Sequence, residues 1–116
     1  MLAELFEIAE NDVTSVATLE EAQGCLAARP FDLIVTDLRL GGRRDGGLQV
    51  MAAAGLLSPD AAVVVLTAFP DADNREASLR LGAAHFVEKP ADLTTIASLA
   101  AQHGINSAIR EELPSA

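Results

Sequence analysis

Three short apolar segments mark this chain, and each ends at a polar residue. Residues 31–37 are Phe-Asp-Leu-Ile-Val-Thr-Asp, residues 63–67 are Val-Val-Val-Leu-Thr, and residues 85–89 are His-Phe-Val-Glu-Lys. Aliphatic and β-branched residues in runs this short are typical of buried strands. Parallel strands end at a common carboxyl edge, where open α/β folds bind their ligands. We therefore expect Asp37, Thr67 and Lys89 to meet there as a carboxylate, a hydroxyl and an ammonium group suited to a phosphoryl group.

Helical patterns separate these segments. Thr18-Leu-Glu-Glu21 has the form of a capping box and predicts a helix that ends before Arg29-Pro30. A first helix is predicted at 2–9, and another at 48–54, after the glycine-rich residues 41–47 and with Gly55 as its C-cap. A further helix begins after an N-cap at Asp71 or Asp73 and ends at Leu81. The last runs from Asp92 to about Gly104. Residues 13–17 are a fourth strand candidate. This alternation of strands and helices indicates an α/β domain with a parallel sheet.

Composition excludes several classes of protein. A net charge of −9 argues against a protein that binds the phosphate backbone of nucleic acids. No apolar run approaches the ~20 residues of a membrane span, and acids near the N-terminus argue against a signal peptide. Cys25 is the only cysteine, so no internal disulfide is expected. We expect a cytoplasmic protein that binds neither nucleic acid nor membrane.

Two further motifs join the Asp37 strand, namely Leu66-Thr67-Ala68 and Glu88-Lys89-Pro90 after an aromatic residue. Three such motifs in this order, each at a strand end with a helix between them, resemble the response-regulator receiver domain. That domain is the phosphoacceptor module of two-component phosphorelay signalling. The resemblance implies a flavodoxin-like doubly wound parallel sheet with helices on both faces. Here the sheet is expected to have four strands, because the first strand of the family pattern is missing.

The resemblance covers nearly the whole chain and implies a role for individual residues. Residues 1–104 are expected to form the receiver-like domain, and residues 105–116 a C-terminal tail. Asp37 would accept a phosphoryl group from a sensor histidine kinase or a phosphotransfer protein. Lys89 would pair with Asp37 and then bind a phosphoryl oxygen. The switch residues would be Thr67 and Phe86, and the expected cis peptide bond precedes Pro90.

Metal binding is where the sequence departs from the family pattern. Receivers begin with a strand that ends in a pair of acids, which hold Mg²⁺ together with the acceptor aspartate, whereas this chain begins at the following helix. Asp37 and the backbone carbonyl of Arg39 remain as expected ligands, and Asp45 is a further candidate. Residues 10–12 precede a strand and would lie at the opposite edge of the sheet. Because Mg²⁺ needs near-octahedral oxygen ligation, we expect weak binding and impaired metal-dependent phosphorylation.

Other functions remain open at this stage. A pseudo-receiver would act without phosphate as a protein–protein interaction module, through residues 84–87 and the flanking helices at 74–81 and 93–101. A haloacid-dehalogenase-like phosphatase would need a second aspartate where Arg39 stands, so we do not expect an enzyme. Output would pass through a downstream protein partner. The gap left by the missing strand would favour a dimer formed by strand exchange.

Each site residue also has a purely structural explanation. Asp37 could cap a turn, Thr67 could be a β-branched core residue, Phe86 could be a core aromatic, and Lys89-Pro90 could be ordinary loop chemistry. The joint occurrence of all of them at strand ends favours the functional interpretation. His85 and His103 are isolated, and neither is expected to be a ligand or a base.

Overall fold

A computed structural model of the 116-residue chain describes residues 2–8, 11–39, 46–68 and 72–107. The elements, in chain order, are α1 (Leu2–Phe6), α2 (Leu19–Ala28), β1 (Leu33–Asp37), α3 (Gly46–Leu57), β2 (Ala62–Thr67), α4 (Ala72–Arg80), β3 (His85–Glu88) and α5 (Leu93–Gln102). The described residues form two compact units, one within Val16–Pro90 and one within Met1–Ser15 and Ala91–Ala116. The first unit holds the whole described sheet.

The sheet is parallel, with strand order β1-β2-β3. Asp37 pairs with Leu66, and Thr67 pairs with Glu88. The carboxyl ends of the three strands therefore lie side by side, because parallel strands in this register finish at one edge. The predicted α/β class with a parallel sheet is confirmed.

The predicted number of strands is wrong for the described part of the chain, where the sheet has three strands rather than four. Residues 13–17, proposed as a short strand, form no helix or strand, with a bend at residue 17. A strand is stable only when a neighbouring strand takes up its backbone hydrogen bonds, and the sheet of the described residues consists of β1, β2 and β3 alone. Its side chains are accordingly exposed or half-buried, with Val16 36% exposed.

The core of the Val16–Pro90 unit lies between one face of the sheet and the helices α2 and α3. Its buried members are Leu26, Leu38, Met51, Ala54, Val63 and Val65. Val63 and Val65 alternate with residues on the opposite sheet face, as side chains of a strand must. Burying each such aliphatic side chain stabilises the fold by roughly 1.5–3 kcal/mol. Phe86 of β3 packs against the same cluster.

The capping box predicted for α2 is confirmed. The Glu21 amide donates to Thr18 Oγ1 at 3.1 Å, and Glu21 Oε1 accepts from the Thr18 amide at 3.1 Å. These two bonds satisfy backbone donors that a helix start otherwise leaves unpaired. The helix ends at Ala28, two residues before Pro30, which cannot continue it.

The helix α3 is longer than predicted. It begins at Gly46, inside the glycine-rich segment, and continues through Gly55 to Leu57, so Gly55 is not a C-cap. The apolar run Leu56-Leu57 extends the helix by one turn, and Ser58 follows it with an amide that donates to the Ala54 carbonyl at 2.7 Å. Helix propensity on both sides of Gly55 outweighs the ~1 kcal/mol that an internal glycine costs.

The ends of α4 and α5 agree only in part with those predicted from the sequence. Gly82, with φ of 99°, follows the end of α4 as predicted, because only glycine adopts that conformation readily. Asp73 lies in the first turn of α4 rather than before it, and Asp71 is outside the described residues. Asp92 stands at the N-cap of α5 but its side chain makes no capping hydrogen bond. Among the described residues, no helix is both long and apolar enough to cross a membrane.

In the unit within Met1–Ser15 and Ala91–Ala116, an asparagine side chain joins distant parts of the chain. The Asn11 amide donates to the Phe6 carbonyl at 3.0 Å and to the Asn106 carbonyl at 2.8 Å. These bonds connect the end of α1 to the residues that follow α5. The proposed tail at 105–116 stays a prediction, since residues 108–116 lie outside the described ranges.

Candidate functional site

Asp37 is the last residue of β1, at the carboxyl edge of the sheet. Its side chain is 35% exposed, and both carboxylate oxygens are engaged. Oδ2 forms an ion pair with Lys89 Nζ, and Oδ1 accepts a hydrogen bond from the Arg39 amide at 3.2 Å. The carboxylate is thus held in a defined direction while part of its surface remains open to an approaching group.

Lys89 reaches Asp37 because the pairing of β2 with β3 continues one residue beyond the strand. The Lys89 amide donates to the Thr67 carbonyl at 2.7 Å, and the peptide bond between Lys89 and Pro90 is cis. The side chain is 39% exposed. Because solvent screens a pair this exposed, its contribution to folding stability is small, of the order of 0–1 kcal/mol. Its chemical importance lies in placing a cation beside the carboxylate.

Thr67 is more deeply buried than the ion pair, whereas Phe86 is half-buried like Asp37 and Lys89. Thr67 ends β2 and is only 2% exposed, and its backbone carbonyl anchors Lys89. Phe86 is half-buried against the α2–α3 core and pairs in register with Val65. The structure therefore brings Asp37 and Lys89 into side-chain contact and places Thr67 at the neighbouring strand end.

One neighbour of Asp37 was assigned by the sequence to a loop. Gly47 lies in the first turn of α3, is buried, and donates from its amide to the Leu38 carbonyl at 2.9 Å. A Cβ at this position would overlap the Asp37 carbonyl oxygen and would lie 2.8 Å from the Leu38 Cα. The Gly46-Gly47 pair directly before an apolar helical pattern was the signal that could have indicated this close approach.

The described residues were compared with the ligand set that a divalent metal ion needs. In residues 2–8, 11–39, 46–68 and 72–107, no group of three or more histidines, cysteines, aspartates or glutamates is placed to hold a metal. Asp37 supplies one carboxylate, already engaged by Lys89 and the Arg39 amide, and the Arg39 carbonyl is the other expected ligand. Asp45 falls outside the described residues. Mg²⁺ normally takes six oxygen ligands in near-octahedral geometry, of which these two protein groups could supply two.

Comparison with solved structures supports the fold. A response regulator protein from Burkholderia pseudomallei, solved with a phosphorylated aspartic acid, a calcium ion and citrate, is 32% identical. It matches with a TM-score of 0.68 over 78% of this chain and 51% of that chain. A CheY-like receiver domain from Methanospirillum hungatei matches with a TM-score of 0.79 over 87% of this chain and 79% of that chain, at 21% identity, which supports the fold alone.

Sequence comparison leads to the family. Residues 1–101 match the model of the response regulator receiver domain. The response regulator protein PilR from Pseudomonas aeruginosa is 35% identical over 105 residues, a match that covers 86% of this chain and 23% of PilR. The chain thus spans about a quarter of that relative's length. With a parallel sheet whose carboxyl edge carries Asp37 paired with Lys89, the chain belongs to the response regulator receiver domain family of two-component signalling.

Proposed function

We propose that Asp37 accepts a phosphoryl group from a histidine kinase or a phosphotransfer protein. The observation that carries this proposal is the half-exposed Asp37 carboxylate, held at a strand end by Lys89 and by the Arg39 amide. The family membership supports a place in a phosphorelay. The contact between Asp37 and Lys89 supports Asp37 as the nucleophile and Lys89 as the cation beside it.

The chemistry follows from these groups. An oxygen of the Asp37 carboxylate attacks the phosphorus of a phosphohistidine, the phosphorus–nitrogen bond breaks, and its electron pair stays on the imidazole nitrogen. The product is an acyl phosphate on Asp37. Transfer of this kind depends mainly on positioning and on neutralising the charge of the phosphoryl oxygens. Lys89 Nζ exchanges its contact with the carboxylate for a contact with one of those oxygens.

Thr67 and Phe86 carry the proposed response to phosphorylation. Thr67 is buried at the strand end next to Asp37, so its hydroxyl would bind a second phosphoryl oxygen after a small rearrangement. Phe86 lies on the adjacent strand and is half-buried against the core. A shift of Thr67 would open space that a turn of Phe86 fills, since packed interiors do not tolerate voids.

Metal dependence is proposed to be impaired in this chain. Receiver domains generally bind Mg²⁺ or a similar divalent ion, and the Burkholderia pseudomallei relative contains calcium. Among the described residues, no group of three or more histidines, cysteines, aspartates or glutamates is placed to hold a metal, which supports this proposal. A bound Mg²⁺ would neutralise phosphoryl charge, and in its place Lys89 supplies the positive charge.

The partners proposed for this chain follow from its family and its charge. Receiver domains interact with histidine kinases or phosphotransfer proteins, and some form dimers. We propose such a phosphodonor here, together with a downstream protein partner and a cytoplasmic location. The net charge of −9 supports contacts with proteins rather than with nucleic acid.

Intact mass spectrometry after incubation with acetyl phosphate tests the proposal. The arms are the native chain with Mg²⁺, the native chain with a chelator, and Asp37→Asn with Mg²⁺. We expect slow addition of one phosphoryl group to the native chain, no addition to Asp37→Asn, and little difference between the two metal conditions.

Two outcomes would change the proposal. A rate that rises steeply with Mg²⁺ would show that the metal site is intact and would overturn the proposed impairment. No adduct on a chain shown to be folded by circular dichroism would favour the alternative, a pseudo-receiver that acts through protein contacts without phosphate. The observation that favours this alternative is that the described ranges contain no cluster of metal ligands.

A further inference from the structure

The backbone that carries Asp37 is held on two sides just after β1 ends. The Leu38 amide donates to the Leu66 carbonyl of β2 at 3.3 Å, and the Leu38 carbonyl accepts from the Gly47 amide of α3 at 2.9 Å. The backbone of Leu38, directly after Asp37, is therefore clamped between the sheet and the first turn of α3. With this backbone fixed, the direction of the Asp37 carboxylate depends only on its two side-chain torsions.

Only glycine fits at position 47 while this clamp is closed. A Cβ there would overlap the Asp37 carbonyl oxygen and lie 2.8 Å from the Leu38 Cα and 2.9 Å from the Asp37 carbonyl carbon. Contacts under 3.0 Å of this kind require movement, and the atoms involved are backbone atoms that cannot rotate away. The φ angle of Gly47 lies outside the left-handed region, so the requirement is for space rather than for conformational freedom.

A second glycine in the same helix provides a contrast. Gly55 lies two turns further along α3, and a Cβ added to it would meet nothing within 4 Å. Alanine at either position favours the helix equally by intrinsic propensity. Any difference between alanine substitutions at these two positions therefore reports the contact with the Asp37–Leu38 peptide.

We propose that Gly47 is a positioning residue for phosphoryl acceptance at Asp37. By allowing α3 to approach the Asp37–Leu38 peptide, it sets the point from which the carboxylate reaches Lys89 Nζ and the Arg39 amide. This inference rests on the proposed function for its consequence in phosphoryl transfer. Its geometric part, the placement of Asp37 against Lys89, is measurable without any phosphodonor.

The geometric part is tested by NMR on the sole lysine of the chain, which gives one assigned side-chain signal after lysine-selective ¹³C labelling. The Lys89 ε-carbon shift is recorded for the native chain, for Gly47→Ala, for Gly55→Ala and for Asp37→Ala. We expect Gly55→Ala to match the native chain and Gly47→Ala to move toward Asp37→Ala, because its carboxylate is displaced from Lys89. A native-like Lys89 shift in folded Gly47→Ala would overturn the proposal.

The kinetic part uses the rate of acetyl phosphate labelling at saturating donor. We expect Gly47→Ala to be slower on the order of 100-fold, as for a displacement of reacting groups by about 1 Å, and Gly55→Ala to be unchanged. Equal rates in folded Gly47→Ala and Gly55→Ala would overturn the positioning role. If the native chain takes no phosphoryl group, the proposed function fails, and the Lys89 shift still decides the role of Gly47.

A measurement on the native chain covers the case in which Gly47→Ala does not fold. Hydrogen exchange of the Gly47 amide reports its bond to the Leu38 carbonyl directly. An amide that exchanges at least about tenfold more slowly than an exposed one, corresponding to a closed bond, supports the clamp. Exchange at the rate of an exposed amide would show that the close approach is not formed and would overturn the proposal.

Discussion

The two ends of β1 are built in opposite ways. Just before its start, Phe31 exchanges two hydrogen bonds with one neutral side chain, as its amide donates to Ser58 Oγ at 2.9 Å and its carbonyl accepts from Ser58 Oγ at 3.1 Å. At its far end, Asp37 is charged, half-exposed and paired with Lys89. The bonds at one end join neutral groups around a buried serine, and the contact at the other end joins ionic groups that solvent reaches.

The two ends also differ in how far solvent reaches the groups that form their hydrogen bonds. Ser58 is 4% exposed, so a lost hydrogen bond there leaves backbone groups that water does not readily reach. Asp37 and Lys89 are each more than one third exposed, so water replaces much of what their contact provides. We infer that the amino end of β1 contributes mainly to stability and the carboxyl end mainly to reactivity. Substitutions at the two ends test whether stability and reactivity can be changed independently.

The largest effect is expected at the carboxyl end. Lys89→Met keeps the apolar stem but removes the charge that would bind a phosphoryl oxygen. The initial rate of acetyl phosphate labelling should fall on the order of 10²–10³-fold, as on loss of one transition-state hydrogen-bond donor. The free energy of unfolding should change by no more than about 1 kcal/mol, because the ion pair is largely screened.

Arg80→Met is the matched control for Lys89→Met. It removes a cation whose 2.5 Å contact with Glu76 lies on the exposed surface of α4. Labelling should proceed at the native rate. If Lys89→Met labels as fast as Arg80→Met, the assignment of Lys89 to the phosphoryl group is wrong.

An intermediate effect, on stability alone, is expected at the amino end. Ser58→Ala removes both bonds to Phe31 and leaves its amide and carbonyl without that partner. Chemical denaturation should show a loss of about 1–3 kcal/mol in the free energy of unfolding. The exposed Ser15→Ala should change it by less than about 0.5 kcal/mol. A slower labelling rate in folded Ser58→Ala would show that the two ends are coupled.

The smallest effect is expected at the capping box, whose hydrogen bonds are exposed to solvent. A hydrogen bond from the Ala17 amide, followed by those from the Thr18 side chain and amide, lowers the pKa of Glu21 from 4.5. A lowered folded-state pKa adds stability that is complete above pH 4.5 and is lost as pH falls through the folded value.

Glu21→Gln should therefore be less stable than the native chain at pH 6, and the difference should shrink below pH 4.5. Thermal unfolding across this range measures it, with Glu20→Gln of the same turn as the control. A difference that stays constant with pH would mean that the charge of Glu21 does not contribute through the cap.

Local patterns predicted much of the fold. The capping box of α2 and the three apolar strands depend on near neighbours in the chain, and the structure has them where the sequence indicated. The strand predicted at residues 13–17 is not formed, because a strand depends on a neighbouring strand that a local pattern does not specify. The start of α3 was missed because glycines adjoining a helix favour a loop by propensity, whereas here their missing Cβ allows close packing.

The sequence by itself determined that Asp37 ends a strand, because a run of aliphatic and β-branched residues followed by a carboxylate constrains its own backbone. Its family membership also follows from sequence. Only the tertiary structure decided which groups surround that carboxylate. Lys89 lies 52 residues away, and Gly47 is brought against the Asp37 carbonyl by the packing of α3. Such contacts depend on how whole elements pack, which no local pattern of residues specifies.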